Sequence, residues 1–95
     1  MVSYAREYYH CSMRKKTLLA VGERIRALRE KAGVTQEEFA EIAGLDRAYY
    51  GGVERGERNV AAVNLIRIAV ALNIEVGELF PPQADLIKLL RGMKK

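Results

Sequence analysis

Cysteine and histidine are nearly missing from this 95-residue chain, which has one of each, Cys11 and His10. A lone cysteine excludes an internal disulfide framework, and two adjacent soft ligands do not make a structural zinc site. No metal or cofactor is expected. No nucleophile stands beside a recognisable base and no constellation suits a catalytic metal, so an enzyme is not expected either. Long apolar runs are absent: stretches such as residues 18–21 fall far short of the roughly 20 residues that cross a bilayer. The N-terminus lacks the charged-then-apolar plan of an export signal. The expectation is a chain of the reducing cytoplasm with no membrane contact. Internal repeats, low-complexity tracts and convincing strand patterns are missing as well, and the length suits one small domain rather than two.

What is present is ordinary in amount and uneven in placement. Hydrophobic residues make up 49% and charged residues 29%, with a net charge of +4. Residues 1–35 carry eight Lys or Arg against three acids, residues 36–59 carry three against six, and residues 60–95 carry five against three. A basic balance of this kind favours anionic partners, although the central third is acidic.

Residues 1–16 show no helical apolar period and end in the basic run Arg14, Lys15, Lys16; they read as an arm. Leu18, Val21, Ile25, Leu28 and Ala32 then recur at spacings of three and four, one face of a helix that Gly33 ends. Thr35 with Glu38 forms a capping box for a second helix through Phe39, Ala40 and Ala43, stopped at Gly44. Asp46 is a good N-cap for a third helix to about Arg55. Leu65, Ile68, Ala69 and Leu72 define a fourth, and residues 75–80 suit one more short helix before Pro81 and Pro82. An all-α fold of five helices is predicted over residues 17–80, with a C-terminal extension over 81–95 holding a further amphipathic turn or two.

The segment 36–53 is the most specific feature. Two short helices are joined by a few residues, with Ala40 where the helices must cross and Gly44 at the turn. A helical wheel turns Tyr50 and Val53 inward and sets Arg47, Ala48, Gly51, Gly52 and Arg55 on the opposite half. Glycine in a helix costs roughly 1 kcal/mol relative to alanine, so two on an open face call for a reason. Close approach to a major groove, which just admits a helix, is one. The fourth helix is apolar on two sides: besides its core face, Val63, Ile66, Val70 and Ile74 form a second stripe that needs a partner.

With TQEEFA, the Gly44 turn and ERGERN together at family spacing, residues 21–80 resemble the helix-turn-helix domain of the Cro/C1 (XRE) family. The run GLDRAYYGGVERGERN, followed by NLIRIAVALNI and GELF, is similar to the controller proteins of restriction-modification systems in particular. The resemblance implies a lambda-repressor-like, five-helix domain that binds double-stranded operator DNA as a homodimer, its third helix reading successive major grooves. Departures are Tyr50 where the family usually has Ile or Val, Ala61 where Ser or Thr often caps the fourth helix, and the two terminal extensions.

On this reading Arg47 can fork onto a guanine and Ala48 can touch a thymine methyl. Tyr49 reaches a phosphate or else packs on the next helix. Arg55, Arg58 and Asn59 match controller positions that contact the backbone or minor groove. Thr35, Gln36 and the free amides beside them suit a phosphate, though capping alone also explains Thr35. Arg29 and Glu54 match the family's ion pair between the first and third helices. Val63, Ile66, Val70, Ile74 and Phe80 are the expected dimer interface. Glu37 and Glu41 resemble the acidic patch through which lambdoid phage repressors touch the sigma subunit of RNA polymerase; acids near a helix start also have a purely local explanation. Two functions follow: a restriction-modification controller acting on its own promoter region, or an antitoxin-like protein that binds a toxin and represses its operon.

Overall fold

In the computed structural model, which describes residues 14–92, five α-helices and one 3₁₀ turn follow one another without a strand among the described residues. They are α1 (Arg14–Lys31), α2 (Gln36–Ala43), α3 (Arg47–Glu54), α4 (Ala62–Leu72), the 3₁₀ turn (Val76–Leu79) and α5 (Gln83–Gly92). His10, Cys11 and the basic pair Lys94 and Lys95 lie outside the described residues. The boundary expected between residues 16 and 17 is corrected, because Arg14, Lys15 and Lys16 form the first turn of α1. Arg and Lys are good helix formers, and a first turn whose Lys15 and Lys16 are exposed needs no apolar residue. Beyond Pro81 and Pro82, α5 runs ten residues, longer than the turn or two anticipated.

Local chemistry sets the helix ends. Thr35 accepts a hydrogen bond from the Glu38 amide at 3.1 Å, and Glu38 Oε1 accepts from the Thr35 amide at 3.0 Å. The Thr35 amide and hydroxyl, both bonded to Oε1, hold the Glu38 carboxyl below its ordinary range. Gly44 closes α2 at φ 72°, a left-handed conformation that a side chain would strain. Asp46 caps α3 by accepting from the Tyr49 amide at 3.0 Å. Ala61, at the start of α4, offers no side-chain cap.

Four helices and the 3₁₀ turn build one core: Val21 and Ile25 from α1, Phe39, Ala40 and Ala43 from α2, Tyr50 and Val53 from α3, Ile68 and Ala69 from α4, and Leu79 from the 3₁₀ turn. Phe39 and Tyr50 meet with ring centroids 5.2 Å apart, within the range of favourable aromatic pairs. α1 and α3 approach so closely that a Cβ on Gly22 would lie 2.5 Å from the Val53 carbonyl oxygen. Only glycine permits that crossing.

A buried polar network ties the same two helices. Arg29 Nε donates to Glu54 Oε2 at 2.6 Å and Nη2 to Oε1 at 3.1 Å, while Nη1 donates to the Val34 carbonyl at 2.8 Å. The Tyr50 hydroxyl donates to Glu54 Oε2, and Gln36 Nε2 to Oε1 at 3.0 Å. Burial pushes the Glu54 carboxyl up, but the bonds from Arg29, Tyr50 and Gln36 outweigh it and hold the group below its ordinary value. Burial and the neighbouring carboxylate push the Tyr50 phenol up, so it remains a donor.

Glu54→Gln leaves the Arg29 charge buried without its counter-charge, and should lower stability to urea by about 3–5 kcal/mol. Tyr50→Phe removes one bond to a charged acceptor and should cost about 1.5–3 kcal/mol. Because folding depresses the Glu54 pKa, its contribution is complete above the ordinary carboxylate value and is lost as pH falls through the lower folded value. Urea midpoints measured down the acid limb should therefore fall more steeply for the unsubstituted protein than for Glu54→Gln; parallel limbs would show that other carboxylates govern acid unfolding.

Candidate nucleic-acid interface

The far end of α3 is buried and its near end is not. Tyr50, Val53 and Glu54 face the interior, whereas Arg47 and Ala48, in the first turn, are exposed. Arg47 keeps only a loose pairing with Glu37 at 3.8 Å between two solvated groups. A cation and a small methyl therefore project from the helix end that Asp46 caps.

The two glycines are not the open surface expected. Both Gly51 and Gly52 are buried. A Cβ on Gly51 would lie 3.1 Å from Arg55 Nη1, and one on Gly52 would lie 3.2 Å from Arg58 Cγ. Long side chains from just beyond the helix fold back over the bare backbone. A helical wheel places α-carbons by angle and says nothing of that reach. Arg55, Arg58 and Asn59 themselves remain exposed, with Arg55 forked onto Glu57 through Nε at 3.0 Å and Nη2 at 3.2 Å.

Tyr49 takes the packing alternative. It is half-buried against the core, its hydroxyl accepts a bond from Asn64 Nδ2 at 3.1 Å, and the Arg58 guanidinium lies over its ring at 5.7 Å. With one lone pair taken by Asn64, the hydroxyl proton is left to donate outward. Thr35 is exposed but engaged in its cap, its hydroxyl 3.0 Å from Glu38 Oε1. Gln36 differs from the expectation of a phosphate ligand: its amide turns inward to Glu54, because an ionised, buried carboxylate is a stronger acceptor than water. Arg29 and Glu54 are paired within the interior, as described above.

On α4 the second apolar stripe is real but narrower than drawn. Val63, Ile66 and Val70 are 62%, 53% and 72% exposed. Ile74 and Phe80 are half-buried and packed against the core, so they flank the stripe rather than stand in it. On α2, Glu37 and Glu41 are both solvent-exposed, and the aliphatic Ile42 beside them is exposed too.

Sequence reasoning missed four participants. Asn64 positions Tyr49; Arg67 donates to the Gly44 carbonyl at 3.0 Å across the turn; Arg26 joins Arg29, Gln36, Glu54 and Arg55 in lining a cleft of about 270 Å³; and Glu57 clamps Arg55. Only the last left a sequence signal, an acid set between two arginines in RGER. No described helix is long and apolar enough to cross a membrane.

Comparison with known proteins agrees with this geometry. The helix-turn-helix family profile matches residues 25–79. Control protein C.SmaI of Serratia marcescens is 47% identical over 73 residues, covering 77% of this chain and 84% of that protein. The crystal structure of the restriction-modification controller C.AhdI from Aeromonas hydrophila is 54% identical, with a TM-score of 0.65 over 66% of this chain and 96% of that one. The tetramer of the controller C.Esp1396I in complex with its natural 35 base-pair operator is 29% identical, with a TM-score of 0.59 over 83% of this chain and 96% of that one. A capped α2, a left-handed glycine turn, an α3 locked at one end and a profile match across most of the described helices lead to one conclusion: the chain belongs to the Cro/C1-type helix-turn-helix family, beside the restriction-modification controller proteins.

Proposed function

We propose that this chain is a non-enzymatic, cytoplasmic transcription regulator of the restriction-modification controller kind, which binds a pseudo-palindromic operator as a homodimer and sets output from the promoter beside it. The observation that carries the reading is the asymmetry of α3, with Arg47 and Ala48 exposed at one end and Glu54 locked to Arg29 at the other. A reading helix must present base-contacting groups from a scaffold that does not yield.

In this scheme Arg47 forks onto a guanine and Ala48 meets a thymine methyl. Tyr49, Arg58 and Asn59 contact the backbone and its grooves, Arg55 joins them once released from Glu57, and the start of α2, capped by Thr35, lies against a phosphate through the main-chain amide of Gln36. Val63, Ile66 and Val70, flanked by Ile74 and Phe80, form the isologous contact between protomers. A tetramer on one operator, the form of the C.Esp1396I complex, is a natural extension. Glu37 and Glu41 face away from the core and are offered to the sigma subunit of RNA polymerase. Footprinting the DNA beside the gene tests the whole scheme: protection of two dyad-related half-sites about one helical turn apart is expected, and uniform protection without a footprint counts against it.

Arg47→Ala should reduce discrimination between operator and random duplex by about 1–3 kcal/mol. Arg58→Ala should weaken both and flatten the salt dependence. Fluorescence anisotropy at several salt concentrations separates the two; equal weakening of both duplexes by Arg47→Ala would reduce that residue to a backbone contact.

Ile66→Glu places a charge in the exposed stripe and should give monomers that bind operator without cooperativity. A tight dimer of this variant in sedimentation equilibrium would move the interface elsewhere.

Glu37→Gln combined with Glu41→Gln should leave operator affinity equal or slightly improved while lowering transcription in vitro from an activated promoter. Transcription that tracks occupancy unchanged would leave α2 as scaffold alone.

A further inference from the structure

An acid in the middle of a surface that meets a polyanion is out of place unless it acts on the cations around it. Glu57 is such an acid. Its two oxygens take Nε and Nη2 of Arg55 at 3.0 and 3.2 Å, the side-on fork by which a guanidinium also grips a phosphate. Glu57 Oε1 lies 3.6 Å from the point where a Gly52 Cβ would be, and Arg58 Nε lies 3.3 Å from the same point. The carboxylate and the Arg58 side chain thus lie together over the bare backbone at Gly52, with Arg55 forked onto the carboxylate from its other side. The Arg55 hydrogen bonds, with the Arg58 charge adding to them, hold the Glu57 carboxyl below its ordinary range, so it is ionised at neutral pH.

A carboxylate and a phosphodiester each present one negative charge over two oxygens. What Arg55 would gain from a backbone phosphate it already has from a group two residues along the chain, whose tether keeps its effective concentration high. Resting on the DNA-binding reading above, we infer that Glu57 is an intramolecular substitute for a DNA phosphate, competing with the backbone for Arg55 and Arg58 and so weakening binding to duplex of any sequence. Docking exchanges one anion for another at these arginines. The exchange yields less affinity and less counterion release than an unpaired arginine would, and it sets the protein concentration at which sites fill.

The test uses the full chain and a mixed-sequence 30 base-pair duplex, with binding followed by anisotropy between 50 and 200 mM KCl. Glu57→Gln should tighten binding about three- to five-fold at the lowest salt and steepen the slope of log affinity against log salt by about 0.9, the value for one further phosphate neutralised. Glu23→Gln on the exposed surface of α1 makes the same change in net charge away from these arginines and should alter affinity less than about 1.5-fold. In an Arg55→Ala background the gain from Glu57→Gln should be at least halved, an outcome that a general charge effect would not produce. If Glu57→Gln matches Glu23→Gln, or its gain persists undiminished without Arg55, the inference is overturned while the DNA-binding reading stands. Absence of salt-dependent binding by the unsubstituted protein would overturn both.

Discussion

The bidentate contact between Arg29 and Glu54 is the constraint on which the rest of the molecule is hung. It joins the last turn of α1 to the last residue of α3, and its two charges are almost wholly removed from water. Desolvating such a pair is expensive, and an apolar pair of similar volume is often no less stable. The remaining valences are filled by Val34, Tyr50 and Gln36, which turns a costly pair into a satisfied network. Its product is angular precision. α3 cannot roll about its own axis without breaking several hydrogen bonds in the interior, and at Gly22 its backbone lies directly against that of α1.

That network also explains the departure from the family's usual aliphatic residue at position 50. Tyr50 buries a ring against Phe39 and still places its hydroxyl on Glu54. The aromatic body serves the core and the polar tip serves the ion pair. One residue thereby connects the apolar and ionic parts of the interior, which in a chain of this size would otherwise be separate sources of order.

Periodicity and caps made most of the fold legible. The three-and-four spacing of Val21 and Ile25, the Thr35–Glu38 box and the Gly44 turn each correspond to a feature of the folded chain, because they are local and the physics behind them is local. The Arg29–Glu54 pairing was available only through resemblance, since nothing in the spacing of residues 25 apart announces a contact. What escaped was mostly the behaviour of long polar side chains. Gln36 turned inward, Arg55 and Arg58 folded over Gly51 and Gly52, and Asn64 reached Tyr49 from another helix. Each depends on which partner lies within reach after folding. The start of α1 escaped for a different reason, as a basic run gives the same pattern in solvent whether helical or not.

Gln36 opens α2, and its amide holds the same carboxylate that ends α3. The two helices of the reading unit are therefore joined at their outer corner as well as at the Gly44 turn between them. A hinge fastened on both sides is no longer a hinge. A duplex whose groove is too narrow or too wide gains nothing from an adjustment between α2 and α3, so the work of fitting falls on the DNA, and base steps that bend at low cost are favoured even where no side chain touches them.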